Sequence, residues 1–188
     1  AIERVKEPDT EVLFRMSDTE LTYSEFGINV NKISNLLKET GVQKGDHVAV
    51  FLPNCPEYAY LYHALGKCGA IMSPINPFIR GKPLEYILKH SDSKYLITSN
   101  ELFSEKISNI IELIDGLNCI FFLDKKEDLK GVDSLLFSDF TNYSSEFESK
   151  WKVTGDDIQG IWYTSGTTGV PKGAVINHKN YMYRILFF

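Results

Sequence analysis

Apolar residues along the chain recur first in alternation, then at helical spacing, then in short unbroken runs, and this succession repeats. Val12–Met16 and Leu21–Tyr23 predict two short strands joined by the polar turn Ser17–Glu20. Thr22 and Glu25 stand at capping-box spacing, and Phe26, Val30, Ile33 and Leu37 fall on one helical face, with Gly41 placed to end the helix. His47–Leu52 is a continuous Val-rich run, the pattern of a strand covered on both faces. Asn54 is positioned to cap a second helix, Pro56 suits its first turn, and Gly69 suits its end.

The alternation goes on. Ala70–Ile75, Lys94–Thr98 and Asn118–Leu123 predict strands, separated by a short helix over Pro83–His90 and a longer one over Glu101–Asp115. That longer segment carries Phe103, Ile107, Ile110, Ile111 and Ile114 on one side. Strand and helix in turn at these lengths imply crossover units and an α/β fold with a largely parallel, helix-flanked sheet. From Asp124 to Gly155 the pattern loosens into charged and Ser-rich sequence, so residues 124–157 are expected to form a variable surface excursion. Order returns at Ile158–Tyr163, and Ala174–Asn177 again has the pattern of a strand. Tyr181–Phe188 is apolar almost all round without a capping glycine, which predicts a helix meant to be covered by further polypeptide or to self-associate.

Composition narrows the function classes. The chain has 188 residues, 43% hydrophobic and 24% charged, which is ordinary globular usage. Its longest apolar runs fall far short of the roughly 18 residues of a membrane helix. With 20 basic and 25 acidic side chains the net charge is −5, which disfavours nonspecific nucleic-acid binding. Cys55, Cys68 and Cys119 are odd in number and form no CxxC pair, so they are expected to be reduced, packed thiols in a cytoplasmic protein. Nothing in the sequence marks a metal site.

The most unusual stretch is Tyr163-Thr164-Ser165-Gly166-Thr167-Thr168-Gly169-Val170-Pro171-Lys172-Gly173. Hydroxyls and glycine-exposed backbone N–H groups donate hydrogen bonds to oxyanions, and a lysine adds a point charge, which together suit a polyphosphate. The bland alternative is a flexible turn between two strands. The stretch is not a GxxxxGK[ST] P-loop, because Pro171 stands where the second glycine is required and Gly173 where the hydroxyl is required. Asp124, at the end of a hydrophobic strand, lies upstream of the loop and does not serve as its metal-binding partner.

The segment YTSGTTGVPKGAVINHKN resembles the phosphate-binding signature of the adenylate-forming superfamily, which includes acyl-CoA and aryl-CoA ligases. Other segments agree with that likeness. They are LTYSEF at Leu21–Phe26, GDHVAV at Gly45–Val50 with PNCPE at Pro53–Glu57, and Gly69-Ala70 through PINP at Pro74–Pro77, the last in the form found in acyl-CoA and aryl-CoA ligases. The resemblance implies that the chain is the N-terminal portion of the large domain of such an enzyme. It implies activation of a small-molecule carboxylate by ATP with Mg²⁺, release of pyrophosphate, and transfer of the acyl group to coenzyme A. Carried over by position, Thr164, Ser165, Gly166, Thr167, Thr168, Gly169 and Lys172 would hold the β- and γ-phosphates, with Lys172 as the catalytic electrostatic clamp. The isolated chain is expected to be inactive, since the family's adenine, acyl and small-domain elements come later in sequence.

Three other readings are open: a phosphate-binding or interaction module without catalysis, an adenylation domain with a different acyl acceptor, and a phosphotransferase acting at the γ-phosphate, which the loop spacing disfavours. His47, His63, His90 and His178 are scattered, and Tyr58, Tyr60 and Tyr62 alternate along a predicted helix, so neither set is expected to build a site. Lys125, Lys126 and Lys130 interleave with acids as on a solvated face.

Overall fold

The computed structural model describes residues 12–16, 19–164 and 170–187. β1 (Val12–Met16) and β2 (Thr19–Thr22) form an antiparallel hairpin; Ser17 and Asp18 of the expected turn lie outside the described residues. Thr22 then starts α1 (Tyr23–Glu39) through the anticipated capping box. The Glu25 N–H donates to Thr22 Oγ1 at 3.2 Å, and the Thr22 N–H donates to Glu25 Oε2 at 3.0 Å. Val30, Ile33, Leu36 and Leu37 are the buried apolar face of this helix, and Gly41 beyond its end adopts φ +94°.

β3 (His47–Phe51), α2 (Pro56–Cys68), β4 (Ile71–Pro74), α3 (Lys82–His90), β5 (Tyr95–Thr98) and β6 (Cys119–Phe122) follow in the expected alternation. With β7 (Asp133–Leu136), β8 (Ile158–Thr164) and β9 (Lys172–Asn177) they make a seven-stranded sheet in the order β7-β6-β5-β3-β4-β8-β9. Every pairing is parallel except β8 with β9. α5 (His178–Phe187) closes the chain. Because a strand turns alternate residues to opposite faces, the runs covered on both sides divide cleanly. Val48 and Val50, Tyr95 and Ile97, and Cys119 and Phe121 join α1 and α2 in one cluster. Ala49 and Phe51, Leu96, and Ile120 and Phe122 join α3 and the segment around Phe103–Ile107 in the other.

Two local expectations are corrected. Asn54 does not cap α2: Cys55 occupies that position without a side-chain bond, at φ −150° and ψ 162°. The ring of Pro56 drives the residue before it into extended backbone, so the helix boundary falls at Cys55 and Asn54 stays exposed. The long helix over Glu101–Asp115 is also broken. Ser99 caps a short turn, α4 (Asn100–Leu102), which widens into a π-helical turn at Phe103–Ile107 and gives way to a 3₁₀ turn at Ile111–Leu113. The Ser108 N–H reaches back to Phe103 O at 2.8 Å, and the Ser108 hydroxyl donates to Ser104 O at 2.8 Å. Serine here competes with regular helix, while Phe103, Ile107 and Ile114 still reach the sheet.

The Ser-rich segment after Asp124 contains a strand that its sequence did not reveal, β7, at the edge of the sheet. The remainder is fastened to α1 by side chains of the helix donating to its backbone. Asn31 donates to Ser145 O at 2.7 Å, Asn35 to Ser144 O at 2.9 Å and to Glu146 O at 2.8 Å, and Lys32 to Thr141 O at 3.0 Å. Phe137 is buried beneath it, and Phe140, Phe147 and Trp151 pack alongside.

At the far end of this segment Lys44, just before β3, meets Asp157, just before β8. Lys44 Nζ donates to Asp157 Oδ2 at 2.8 Å and to Lys152 O at 2.7 Å. Thr154 adds its N–H at 2.6 Å and its hydroxyl at 3.0 Å to the same carboxylate oxygen. The Lys44 hydrogen bond, followed by the Thr154 N–H, lowers the Asp157 carboxyl from 3.8 to about 2. A carboxyl whose acidity is raised by folding adds stability above its unfolded pKa and loses it as pH falls through the folded one. Asp157→Asn should therefore lower stability at pH 6, and the difference from the parent chain should shrink as pH falls from about 4 toward 2, as read by urea denaturation across that range.

Candidate functional site

The loop after Tyr163 is carried by the β8–β9 hairpin, and the hairpin reaches the sheet through a glycine. Gly160 pairs with Met72 of β4. A Cβ on Gly160 would lie 2.6 Å from Met72 O and 2.7 Å from Trp162 Cη2, and closer still to Trp162 Cζ3. Only a residue without a side chain lets β8 approach β4 while the Trp162 ring folds back over it. Because β8 runs parallel to β4, its last residue, Thr164, emerges on the same edge as the carboxyl ends of β3 and β4. The helices that follow those two strands lie on opposite faces of the sheet. Carboxyl ends beside such a reversal are where open α/β sheets bind ligands.

β9 returns antiparallel, with Thr164 opposite Lys172 and Tyr163 opposite Gly173. Directly opposed residues share a face, so Thr164 and Lys172 stand side by side at the loop end of the hairpin. Both are exposed, and neither side chain has a hydrogen bond or ion pair among the described residues. Ser165, Gly166, Thr167, Thr168 and Gly169, the remaining candidate phosphate donors, lie outside the described residues. Of the expected site, then, the structure brings together its two ends.

Each face of β8 is lined by aromatic side chains. On the α2 face a cleft of about 620 Å³ opens beside Thr164, walled by Tyr58, Tyr62, Trp162, Ile176 and Tyr181. The Tyr62 ring lies 5.0 Å from Tyr181 and 6.3 Å from Trp162, centroid to centroid, and burial pushes its phenol pKa upward. This corrects the expectation that the three tyrosines diverge. Tyr60 does turn into the core against Phe26, but Tyr58 and Tyr62 are four residues apart on one helix, so they share a face. On the other side of β8, Tyr163 Oη lies 2.9 Å from His90 Nδ1, and Tyr86 stacks on His90 with centroids 5.1 Å apart. Sequence separation hid this contact. The usable signal was that α3 and Tyr163 must meet on one face of the sheet.

The other titratable candidates have structural partners. His47 Nδ1 contacts Ser91 O at 2.5 Å, and His63 packs edge-on against Phe26, with burial lowering its pKa. His178 lies against Gly66 of α2, where desolvation holds its pKa down. Asp124 accepts the N–H of Asn100 at 2.8 Å. All three cysteines are free. Burial raises the Cys55 thiol to about 11 and those of Cys68 and Cys119 to about 12, so none is a poised nucleophile. Among the described residues no three His, Cys, Asp or Glu side chains converge as metal ligands, and no helix is long and apolar enough to cross a membrane.

Comparison with known proteins adds independent findings. The sequence profile of the family described as AMP-binding enzyme matches residues 3–188. A crotonobetaine/carnitine–CoA ligase of Proteus mirabilis (strain HI4320) is 32% identical over 169 residues, which cover 86% of this chain and 31% of the relative. The corresponding ligase of Salmonella agona (strain SL483) is 34% identical over 165 residues, with the same shares, 86% and 31%. Among solved structures, the anthranilate CoA ligase AuaEII in complex with anthranoyl-AMP superposes with a TM-score of 0.86 at 26% identity, over 98% of this chain and 35% of that one. The chain thus spans about a third of the length of the relatives it matches.

The docking of the hairpin makes a direct prediction. Gly160→Ala should cost about 1–3 kcal/mol as an overpacked core substitution. At Gly155 an added Cβ would meet only ordinary contact at 3.4 Å from Lys179 Cβ, so Gly155→Ala should leave stability nearly unchanged. Urea midpoints of the two variants test the contrast.

Proposed function

The chain belongs to the AMP-binding enzyme family, and from that premise we propose that it supplies the phosphate-gripping part of an AMP-forming acyl- or aryl-CoA ligase. The observation that carries this reading is the cross-strand pair of Thr164 and Lys172, exposed and free of partners among the described residues, at the carboxyl edge of a parallel sheet. Between them runs a segment of three hydroxyl residues and two glycines before Val170. In this reading Thr164, Ser165, Gly166, Thr167, Thr168, Gly169 and Lys172 hold the β- and γ-phosphates of ATP. A carboxylate oxygen of the substrate attacks the α-phosphorus, the bond to the bridging oxygen breaks, and pyrophosphate leaves.

Charge builds on that leaving group, and preorganised donors stabilise it where it develops. Lys172 is an electrostatic clamp and not a base, since the carboxylate is already ionised at neutral pH. Mg²⁺ would enter with the nucleotide. By likeness to ligases named for crotonobetaine, carnitine and anthranilate, the substrate is a small-molecule carboxylate and the acyl acceptor is coenzyme A. Three free, unreactive thiols suit a reducing compartment. The exposed Val175, Met182 and Tyr183 mark an apolar rim through which the isolated chain would self-associate; the side chains of Ile185, Leu186, Phe187 and Phe188 lie outside the described residues.

In a full-length ligase carrying this sequence, Lys172→Ala should slow adenylation by roughly a hundredfold, by analogy with removal of one oxyanion donor. Thioester formation from supplied acyl-adenylate should be largely spared, because no triphosphate remains to be held. Separate assay of the two half-reactions distinguishes the outcomes, and an equal loss in both would make Lys172 a folding residue. Release of pyrophosphate identifies adenylation, whereas orthophosphate would point to phosphoryl transfer. The 188-residue chain alone should show no carboxylate-dependent exchange of pyrophosphate into ATP, because most of the family's length, with the positioning it supplies, is not part of it.

A further inference from the structure

We propose that His90 is a positioning residue for the phosphate-binding hairpin, acting through Tyr163 to hold Thr164 and Lys172 in register. The inference rests on the reading of this hairpin as the phosphate site.

The geometry begins with α3. Its last residue is His90, and the turn that follows is built firmly: Ser91 and Ser93 are buried with their hydroxyls 2.8 Å apart, and the Ser91 hydroxyl donates to Leu88 O at 3.1 Å. His47 of β3 holds Ser91 O from the sheet side. Asp92 completes the turn at φ +52°, a left-handed conformation that Asp tolerates better than most residues. One helical turn earlier, Tyr86 stacks on the imidazole with an interplanar angle of 30°. His90 is exposed, but the stack on Tyr86 orients the ring so that its Nδ1 lies 2.9 Å from the Tyr163 hydroxyl. Either group can donate, according to the imidazole tautomer.

Tyr163 in turn reaches the returning strand. It pairs with Gly173, and a Cβ at Gly173 would come within 3.5 Å of both Tyr163 Cε1 and Cζ. The phenol thus stands in ordinary contact beside Gly173, where such a Cβ would meet Ile161 Cγ2 more closely at 2.7 Å, while its hydroxyl is tied to α3. Thr164 follows Tyr163 directly, and Lys172 precedes Gly173. One side chain so links α3 with both arms of the hairpin, immediately beside the two described phosphate candidates. A hydroxyl and an ammonium that must meet one ligand gain from being held in place before it arrives. His90 touches no reacting group, so its influence is on placement.

The test uses the 188-residue chain, with Mg²⁺ and inorganic tripolyphosphate as the probe, and four variants: Tyr163→Phe, His90→Leu, the double variant, and His90→Asn. Asparagine places its amide near the position of Nδ1 and can restore the bond. Tyr163→Phe and His90→Leu should each weaken tripolyphosphate binding roughly fivefold, the loss of one hydrogen bond. The double variant should be no weaker than either single one, and His90→Asn should recover most of the affinity. Backbone amide exchange at Thr164 and Lys172 supplies a readout that needs no ligand: it should quicken in both single variants and return toward the parent rate with asparagine. Unchanged exchange in His90→Leu, or additive losses in the double variant, would overturn the proposal. A parent chain that binds no tripolyphosphate, yet shows the exchange pattern, would retain the brace and refute the phosphate reading.

Discussion

The close approach of β8 to β4 at Gly160 is the contact on which the candidate site depends. The described sheet pairs β8 with β4 only at Met72 and Gly160, and there the space beside the Met72 carbonyl is already filled by the Trp162 ring. A side chain at this point would have to displace either a backbone or an aromatic ring packed against α2, and a close-packed interior yields to neither cheaply. The direction of β8, the edge at which Thr164 emerges, and the return of Lys172 beside it all follow from that docking.

From that contact the hairpin is secured on both faces of the sheet. Trp162 turns toward the tyrosines of α2 and α5, and Tyr163 turns toward His90 of α3. Farther back, the Lys44–Asp157 pair ties the start of β3 to the approach of β8, and Gly69, at φ +69°, leaves room for the Lys44 stem that a Cβ would contact at 2.9 Å. The pair is partly exposed, so its contribution to stability is modest, and it ties the end of the long segment after β7 to the start of β3. Binding of a highly charged ligand at a hairpin so placed costs less ordering than binding at a free turn.

Much of this was legible in sequence because the deciding forces were local or periodic. Thr22 and Glu25 satisfy each other's backbone within one turn, Gly69 ends α2 in the left-handed region, and the runs at His47 and Cys119 alternate between two covered faces. Where the reading failed, a more distant constraint prevailed. Pro56 moved the start of α2 past Asn54. Burial of Phe103, Ile107 and Ile114 against the sheet, with Ser108 bonding backward, broke a helix that periodicity favoured. β7 is an edge strand with little apolar signal of its own, held by pairing with β6. The family was legible from the residue types of the loop and its flanking segments, and the profile match over residues 3–188 agrees with it. The placement of His90 against Tyr163 depends on a crossover spanning 73 positions, which no spacing rule within a single element could reveal.

In the proposed function the loop end of the β8–β9 hairpin receives the phosphates of ATP. Titration of the isotopically labelled chain with MgATP, followed by backbone amide shifts, tests it most directly. Saturable shifts are expected, centred on Thr164, Lys172 and the residues between them and abolished by excess tripolyphosphate. Shifts confined to other parts of the surface, or none at the hairpin at millimolar nucleotide, would contradict it.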